Sequence, residues 1–255
     1  MNQKLLSALV IAHNEEHNLA DCLRALKFAD EIIVVLDKCS DNSKQIAQSY
    51  ADKIIEGSWS IEGTRRNVGL LNCNSKWILE IDADERVSKD LADEILTAIK
   101  LSKPCRFTVP IANYVGQRHI KYGWLRTLGV VERQTIHYNG YKKYHEDKQI
   151  HPTADVLGEV NHLKNPIKHL VDKDISDMLA RFNRYTNWRA NDIIASDNLK
   201  KDFWPNFFSG INRFFKSFIF KQGFREGGIG FIIALLCGLY PLISFIKAKE
   251  KSENN

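Results

Sequence analysis

The first hundred residues switch repeatedly between two hydrophobic periods. Leu5 to Ala12 is a short apolar run that reads as a first strand, and Leu19, Cys22, Leu23 and Leu26 then recur at helical spacing, with Asn14 as the candidate N-cap. Glu31 to Leu36 (EIIVVL) is a β-branched run of the kind buried on both faces of a parallel sheet, which completes a βαβ unit. Asp41 is positioned to cap a second helix carrying Ile46, Ala47 and Tyr50. Lys53 to Glu56 predicts a short strand and Thr64 to Leu71 a helix. Trp77 to Ile81 (WILEI) is another buried-strand pattern, and Ser88 precedes a helix bearing Leu91, Ile95 and Ile99. Strands alternating with helices in this way predict an α/β fold around a parallel sheet.

Beyond residue 100 the regularity fades. Residues 101–172 offer only short strand-like pieces, Arg106 to Ile111 and Val130 to Glu132, among aromatic and His-rich loops. From Asp174 to Ala195, Ile175, Met178, Leu179, Phe182, Tyr185 and Ile193 follow helical spacing, which predicts a long amphipathic helix. Ile211, Phe214, Phe215 and Phe218 then recur at i, i+3, i+4 and i+7 among Arg213, Lys216 and Lys221. This is a basic aromatic helix suited to an anionic lipid interface. Gly227 to Ile246 follows without a charge, long enough to cross a bilayer, although its glycines and Pro241 also suit a buried helical hairpin.

Charge changes this picture in one place. The 255 residues carry 36 Lys and Arg against 31 Asp and Glu, yet residues 1–198 balance at 27 of each, and residues 199–225 hold six bases against Asp202 alone. The whole surplus sits beside the uncharged run, where it reads as a lipid-headgroup contact. An RNA-binding reading of the same residues leaves the apolar run without a role. The five cysteines, Cys22, Cys39, Cys73, Cys105 and Cys237, are odd in number and never in a C-x-x-C pair, so a reducing compartment is expected. The first apolar run leads directly into Asn14, Glu15 and Glu16 with no small-residue cleavage site, which argues against a signal peptide.

In an open parallel sheet, ligands bind beyond the carboxyl ends of the strands. Three polar clusters fall there: His13 to Glu16, Asp37 to Asp41, and Asp82-Ala83-Asp84-Glu85. Two carboxylates one residue apart at a strand end repel each other unless a cation or water intervenes, and such hard oxygen ligands suit Mg²⁺ or Mn²⁺. Neither a G-x-G-x-x-G nor a P-loop is present, so a nucleotide must be held without a glycine-rich cradle.

Taken in order, the N-E-E strand end, VVLDKCSDNS, the segment Gly63-Thr64-Arg65-Arg66-Asn67-Val68-Gly69-Leu70 and LEIDADERVS resemble the family 2 glycosyltransferases of GT-A fold, a Rossmann-like nucleotide-diphospho-sugar transferase fold. The resemblance implies nucleotide-sugar binding by Asn14, Glu15, Asp37, Arg66 and Asp82, with Asp37 at the base and Arg66 near the base or diphosphate. It implies a divalent metal held by Asp82, Asp84 and His169. The stretches IHPTADVLGEVNHLKNPIKH and RFNRYTNWRA look like the subgroup containing lipopolysaccharide core β-1,4-glucosyltransferases. That subgroup often carries His-Glu where this chain has His151-Pro152, so no role of that Glu transfers. An inverting transfer needs a base for the acceptor hydroxyl, and Tyr144-His145-Glu146-Asp147 resembles the family's Glu-Asp motif. Asp147 is the first choice and Glu146 the second.

The expected organisation is therefore a nucleotide-sugar half in residues 1–100, an acceptor half and amphipathic helix in 101–198, and a membrane-associating segment in 199–255. The expected activity is inverting, metal-dependent transfer of a hexose from a nucleotide sugar, UDP-linked, to a membrane-held glycan such as lipopolysaccharide core. The site of action is the cytoplasmic face of the inner membrane, with no nucleic-acid partner. Transfer to a polyprenyl phosphate or other lipid-linked acceptor is the alternative within the class. Outside it stand a non-catalytic sugar- or membrane-binding module and a zinc hydrolase, since His13-Asn14-Glu15-Glu16-His17 satisfies H-x-x-E-H. The zinc pattern requires both His on one helical face, whereas His13 directly follows a predicted strand.

Overall fold

The computed structural model describes residues 4–126, 132–147, 152–195 and 203–253. They form two compact units, one within residues 1–111 and 131–169 and the other within 112–130 and 170–255.

In the first unit, β1 (Leu6–Ala12), α1 (Leu19–Ala25), β2 (Glu31–Asp37), α2 (Ser43–Gln48), β3 (Lys53–Gly57), α3 (Glu62–Leu71) and β4 (Trp77–Asp82) alternate as the apolar periods predict. There follow β5 (Glu85–Arg86), α4 (Lys89–Leu101), the long strand β6 (Arg106–Val115), β7 (Arg118–His119), β8 (Glu132–Tyr138), β9 (Lys142–Tyr144), β10 (Ala154–Val156), β11 (Val160–His162) and β12 (Ile167–Asp172); of these, β7 and the ends of β6 and β12 fall among the residues of the second unit. The main sheet runs β3-β2-β1-β4-β8-β6-β12-β5; β1 to β4 are parallel, and β8 is antiparallel to both β4 and β6. β1 and β2 are buried along almost their whole length, as expected of strands covered by helices on both faces. Trp77 at the start of β4 is wedged against Phe107 and Tyr138, ring centroids 5.6 and 5.4 Å away.

Two expectations are corrected, and a third falls partly outside the described residues. Asn14 is not a helix cap: its φ is +56°, and α1 starts at Leu19 behind Asn18. The described residues of 101–172 include several strands whose alternation is hidden by buried polar residues: Thr108 donates to Glu132, Thr135 donates to the Glu80 carbonyl, His137 lies 3.3 Å from Glu80, and Asn113 donates to the Leu125 carbonyl. The strand expected at Val130 to Glu132 is described only from Glu132, where β8 begins; Val130 and Val131 lie outside the described residues. By contrast, Ser88 caps α4 as predicted, its hydroxyl accepting from the Leu91 amide at 3.2 Å.

Glu31, at the start of β2, is a buried carboxylate that ties three segments together. Its side chain accepts from the Ser7 hydroxyl at 2.5 Å, the Asn74 amide at 2.6 Å and the Lys4 ammonium at 3.3 Å. Burial pushes its pKa up, but these donors outweigh burial and hold it down at about 2, against 4.5 ordinarily. A depressed folded-state pKa contributes stability that is complete above pH 4.5 and is lost as pH falls toward 2, about 3 kcal/mol in all. Glu31→Gln is therefore expected to remove about 3 kcal/mol of the acid limb in urea unfolding measured between pH 4.5 and 2. An unchanged limb would show that Glu31 does not carry it.

In the second unit, α5 (Ile175–Ala195), α6 (Phe203–Phe215) and α7 (Gly227–Glu253) pack on one another. The basic aromatic helix does not continue as an α-helix. From Lys216 to Phe220 it widens into a π turn, closed by the Lys221 amide on the Lys216 carbonyl at 2.9 Å, with Ser217 turned inward to accept from the Trp124 amide. Glu226 fixes the start of α7 by accepting from Arg118 at 2.8 Å and from the amides of Lys121 and Tyr122. α6 and α7 approach so closely that a Cβ on Gly210 would lie 2.4 Å from the Gly238 carbonyl oxygen, which explains the glycines in that pair. The helix ending in α7 is long and apolar enough to cross a membrane, and only 28% of its most apolar window is buried.

Candidate active site

The register of the parallel strands brings their carboxyl ends level: Ile11 of β1 lies beside Asp82 of β4, and Ala12 beside Leu36 of β2. Asp37 closes β2, buried, with Oδ1 accepting from the Trp59 amide at 3.0 Å and Oδ2 from Arg65 at 2.8 Å. Asn14 bridges the first two strand ends, its Oδ1 accepting from the Ser40 amide at 2.8 Å. Glu15 accepts from the Asn18 side chain. Burial pushes its pKa up, opposed by that bond, and the fields of Asp84, Asp41 and Asp82 add to the rise, so it belongs to the same electrostatic neighbourhood.

Asp82 is the centre of a charged network that is only partly evident from its D-x-D motif. Arg133 of β8 donates to its Oδ2 at 2.8 Å, and Arg66 lies 3.7 Å from Oδ1. Burial opposes ionisation of Asp82, but the two guanidiniums outweigh it and hold the carboxyl below the usual range. Arg133 also pairs with Glu85, whose Oε2 accepts from the Asp82 amide. Glu85 is almost fully buried and its Oε1 has no hydrogen-bond partner among the described residues. Burial first, then the neighbouring Asp82 and Asp84, push it up to about 7 despite Arg133. Beneath them Glu80 accepts from Lys142 at 2.6 Å and from the Tyr144 hydroxyl at 2.8 Å, and with Glu62 it anchors Arg66. Arg66 thus faces the carboxylates at the end of β4, while its neighbour Arg65 serves Asp37.

Asp84 and His169 come together because β5 pairs with β12, His169 standing opposite Glu85 in the ladder. His169 Nε2 lies 3.2 Å from Asp84 Oδ2. Burial pulls the imidazole pKa down, but the Asp84 carboxylate outweighs it and raises it above its ordinary value. Among the described residues no three His, Cys, Asp or Glu side chains converge into a closed metal cage. The residues nevertheless suit a hard divalent cation. Two adjacent ligands of an octahedral ion with bonds near 2.1 Å stand about 3 Å apart, close to the Asp84–His169 spacing. Both side chains remain accessible, at 34% and 22% exposure, so further oxygen ligands can reach them.

The segment Gly63 to Asn67 holds the candidate base in position. A Cβ on Gly63 would fall 2.1 Å from the His145 carbonyl oxygen, so only glycine lets α3 approach this closely. Asn67 Oδ1 accepts from the Tyr144 amide at 2.8 Å, and its Nδ2 donates to the Tyr144 carbonyl and to Glu146 Oε1, each at 2.9 Å. Glu146 is held below the usual carboxylate range by its bonds from Asn67 and Thr64, whereas Asp147 next to it is exposed. His151 lies outside the described residues.

Arg65, Glu80, Glu85, Arg133 and Asn67 were not singled out from sequence. Glu85 adjoins the D-x-D, and Glu80, Arg65 and Asn67 lie inside quoted motifs, so position could have found them; Arg133 carried no such signal. The zinc pattern fails on geometry. His13 follows β1 with its Nδ1 2.6 Å from the Asp37 carbonyl, Asn14 is left-handed, and His17 precedes α1, so the two His share no helical face.

Over 268 residues the chain is 25% identical to an uncharacterized glycosyltransferase of Rickettsia conorii, covering 99% of this chain and 93% of that one. It is 24% identical over 260 residues to the lipopolysaccharide core biosynthesis glycosyltransferase LpsC of Rhizobium meliloti, covering 96% and 92%. The crystal structure of S. aureus TarS 1–349 in complex with UDP-GlcNAc superposes with a TM-score of 0.50 at 15% identity, over 98% of this chain and 91% of that one, which supports a GT-A-like fold. The profile described as glycosyl transferase family 2 matches residues 7–154, more than half the chain. With the D-A-D strand end, the order of its motifs and this match in accord, the chain belongs to glycosyl transferase family 2.

Proposed function

We propose that this glycosyltransferase moves a hexose, with glucose the first candidate, from a UDP-linked donor to a membrane-held glycan of the lipopolysaccharide core type, with inversion and with Mg²⁺ or Mn²⁺. The observation that carries the reading is the Asp84–His169 pair at the end of the central strand, beside an Asp82 already compensated by two arginines. The name of the relative LpsC supports the acceptor class.

In this reading Asp37, braced by Arg65 and the Trp59 amide, retains lone pairs with which to accept from the nucleotide base. Arg66 and Arg133 bring positive charge to the donor's diphosphate while Asp82 keeps them aligned. A divalent cation held by Asp84 and His169 would supply charge neutralisation of the departing nucleotide diphosphate. The acceptor hydroxyl oxygen forms the new bond to the anomeric carbon as the bond to the diphosphate breaks. The electron pair of that bond leaves with the diphosphate, and the hydroxyl proton passes to Asp147. A panel of nucleotide sugars screened for donor hydrolysis, followed by mass analysis of core glycan from a deletion strain, tests the proposal. Hydrolysis of no donor, or an unaltered glycan, contradicts it.

The second unit supplies the membrane contact in this reading, at the cytoplasmic face of the inner membrane. Trp204, Phe208, Ile211 and Phe215 form an exposed stripe along α6, with Lys216 and Lys221 beyond it. Each basic residue near an anionic surface contributes about 1 kcal/mol. Lys216→Gln and Lys221→Gln are each expected to weaken partition into phosphatidylglycerol-containing vesicles about fivefold, measured by flotation at low salt. Loss of the difference at high salt is also expected; equal flotation of all three proteins at low salt would rule out this contact.

A further inference from the structure

The helices of the second unit enclose two chambers that share a wall. The first, about 300 Å³, lies among α5, α6 and α7 and is lined chiefly by apolar side chains, including Leu125, Met178, Phe182, Ile233 and Leu236. The second, about 190 Å³, is polar and is lined by Arg189, Ser209 and Ser244 among others. Arg213 and Tyr240 line both.

The charges at this junction are unequal. Arg181, at the edge of the apolar chamber, is neutralised by Asp172, which accepts from its Nε and Nη2 at 2.6 and 2.8 Å. Arg213 forms no ion pair with a carboxylate among the described residues; its guanidinium lies 5.7 Å from the Tyr240 ring centroid. Among the described residues Arg189 pairs with one carboxylate, Asp192, at 3.9 Å, and both are largely exposed. A half-buried cation without a counter-ion, at the mouth of an apolar cavity, matches a ligand that is anionic at one end and hydrocarbon at the other. The apolar chamber is at the small end of ligand pockets, which run from about 300 Å³, so it admits a single hydrocarbon chain. The exposed aromatic stripe of α6 and the largely unburied α7 offer the lipid phase from which such a ligand would enter.

We infer that this bundle holds one anionic glycerophospholipid, an acyl chain in the apolar chamber and the phosphate against Arg213, with Arg189 beside it. The site is separate from the donor site and stands whether or not the assigned acceptor is correct. Binding of this lipid would fill the cavity and satisfy Arg213, so the three helices should be more stable when it is present.

Native mass spectrometry of the full chain, released from detergent with palmitoyl-oleoyl phosphatidylglycerol, phosphatidylcholine of the same chains, or inorganic phosphate, tests the inference. The expected result is one retained phosphatidylglycerol per chain, with at least tenfold weaker retention of phosphatidylcholine and none of phosphate. Arg213→Gln should lower phosphatidylglycerol retention at least tenfold, and Leu236→Phe, which narrows the chamber, should lower it as well. Lys216→Gln should leave this single tightly held lipid in place, which separates the cavity from general surface adhesion. Arg213 is only partly buried and holds no carboxylate in place among the described residues, so its substitution should not prevent folding and keeps the test decisive if the Leu236 variant misfolds. Equal retention of both lipids unaffected by Arg213→Gln, or retention of phosphate alone, would overturn the inference.

Discussion

Asp84→Ala is expected to lower sugar transfer by about three orders of magnitude while leaving the protein folded. Asp84 is one-third exposed and its carboxylate pairs with His169, so truncation leaves no buried charge without a partner. The cost falls on the reaction, where charge builds on the departing diphosphate. Neutralising such charge is worth several kcal/mol, and each 1.36 kcal/mol is about tenfold in rate. The same change at Asp82 is a poorer experiment. It would strip Arg133 and Arg66 of a shared counter-ion and disturb Glu85 and Glu80 through them, so lost activity would be mixed with lost stability. Calorimetric titration with UDP adds a second readout: Mg²⁺ should tighten UDP binding to the native protein and much less to the Asp84 variant. Unchanged glycan in cells complemented with Asp84→Ala would sink the enzymatic reading and favour a non-catalytic sugar-binding module.

The sequence disclosed those parts of the fold in which local pattern and burial coincide. EIIVVL and WILEI are buried on both faces, so an unbroken apolar run was a sufficient signal, and Ser88 stands where a cap is needed. Asn14 misled because its side chain caps nothing in its own segment; it serves the turn after β2, a contact 26 residues away. β6 and β8 were obscured because their buried positions include Thr108, Thr135 and His137, whose partners are Glu132 for the first and Glu80 for the other two, and these polar residues break the apolar alternation. The candidate site divides along the same line. Asp37, Asp82 and Asp84 were visible as strand-end carboxylates, since position along a strand is local information. Arg133 was not, because nothing in the spacing of ERQTIHY reveals that the register of β8 on β4 delivers its guanidinium to Asp82. Assigning Arg66 its neighbours required the rotation of α3, which turns Arg65 to Asp37 and Arg66 to Glu62 and Asp82.

Asp147→Asn is expected to reduce turnover by about two to four orders of magnitude with donor affinity unchanged, because asparagine has nearly the same shape but cannot take the acceptor's proton. The choice of Asp147 over Glu146 now rests on a physical distinction. Glu146 is already committed as an acceptor from Asn67 and Thr64, bonds that pull its pKa down and make it a weaker base. Asp147 follows it on the same tightly held turn, exposed, with Gly63 and Asn67 fixing the backbone before it. Glu146→Gln should therefore be mild, since an amide oxygen can still accept from Asn67. Gly63→Ala should impair turnover without touching either carboxylate, because its methyl group would displace the His145 carbonyl and with it the turn. Steady-state kinetics with matched donor titrations separate these cases: a fall in kcat at constant donor affinity for Asp147→Asn supports the base assignment. Near-normal turnover in that variant, with a large loss in Glu146→Gln, would transfer the role to Glu146 and make the Asn67 bond a means of orienting the base.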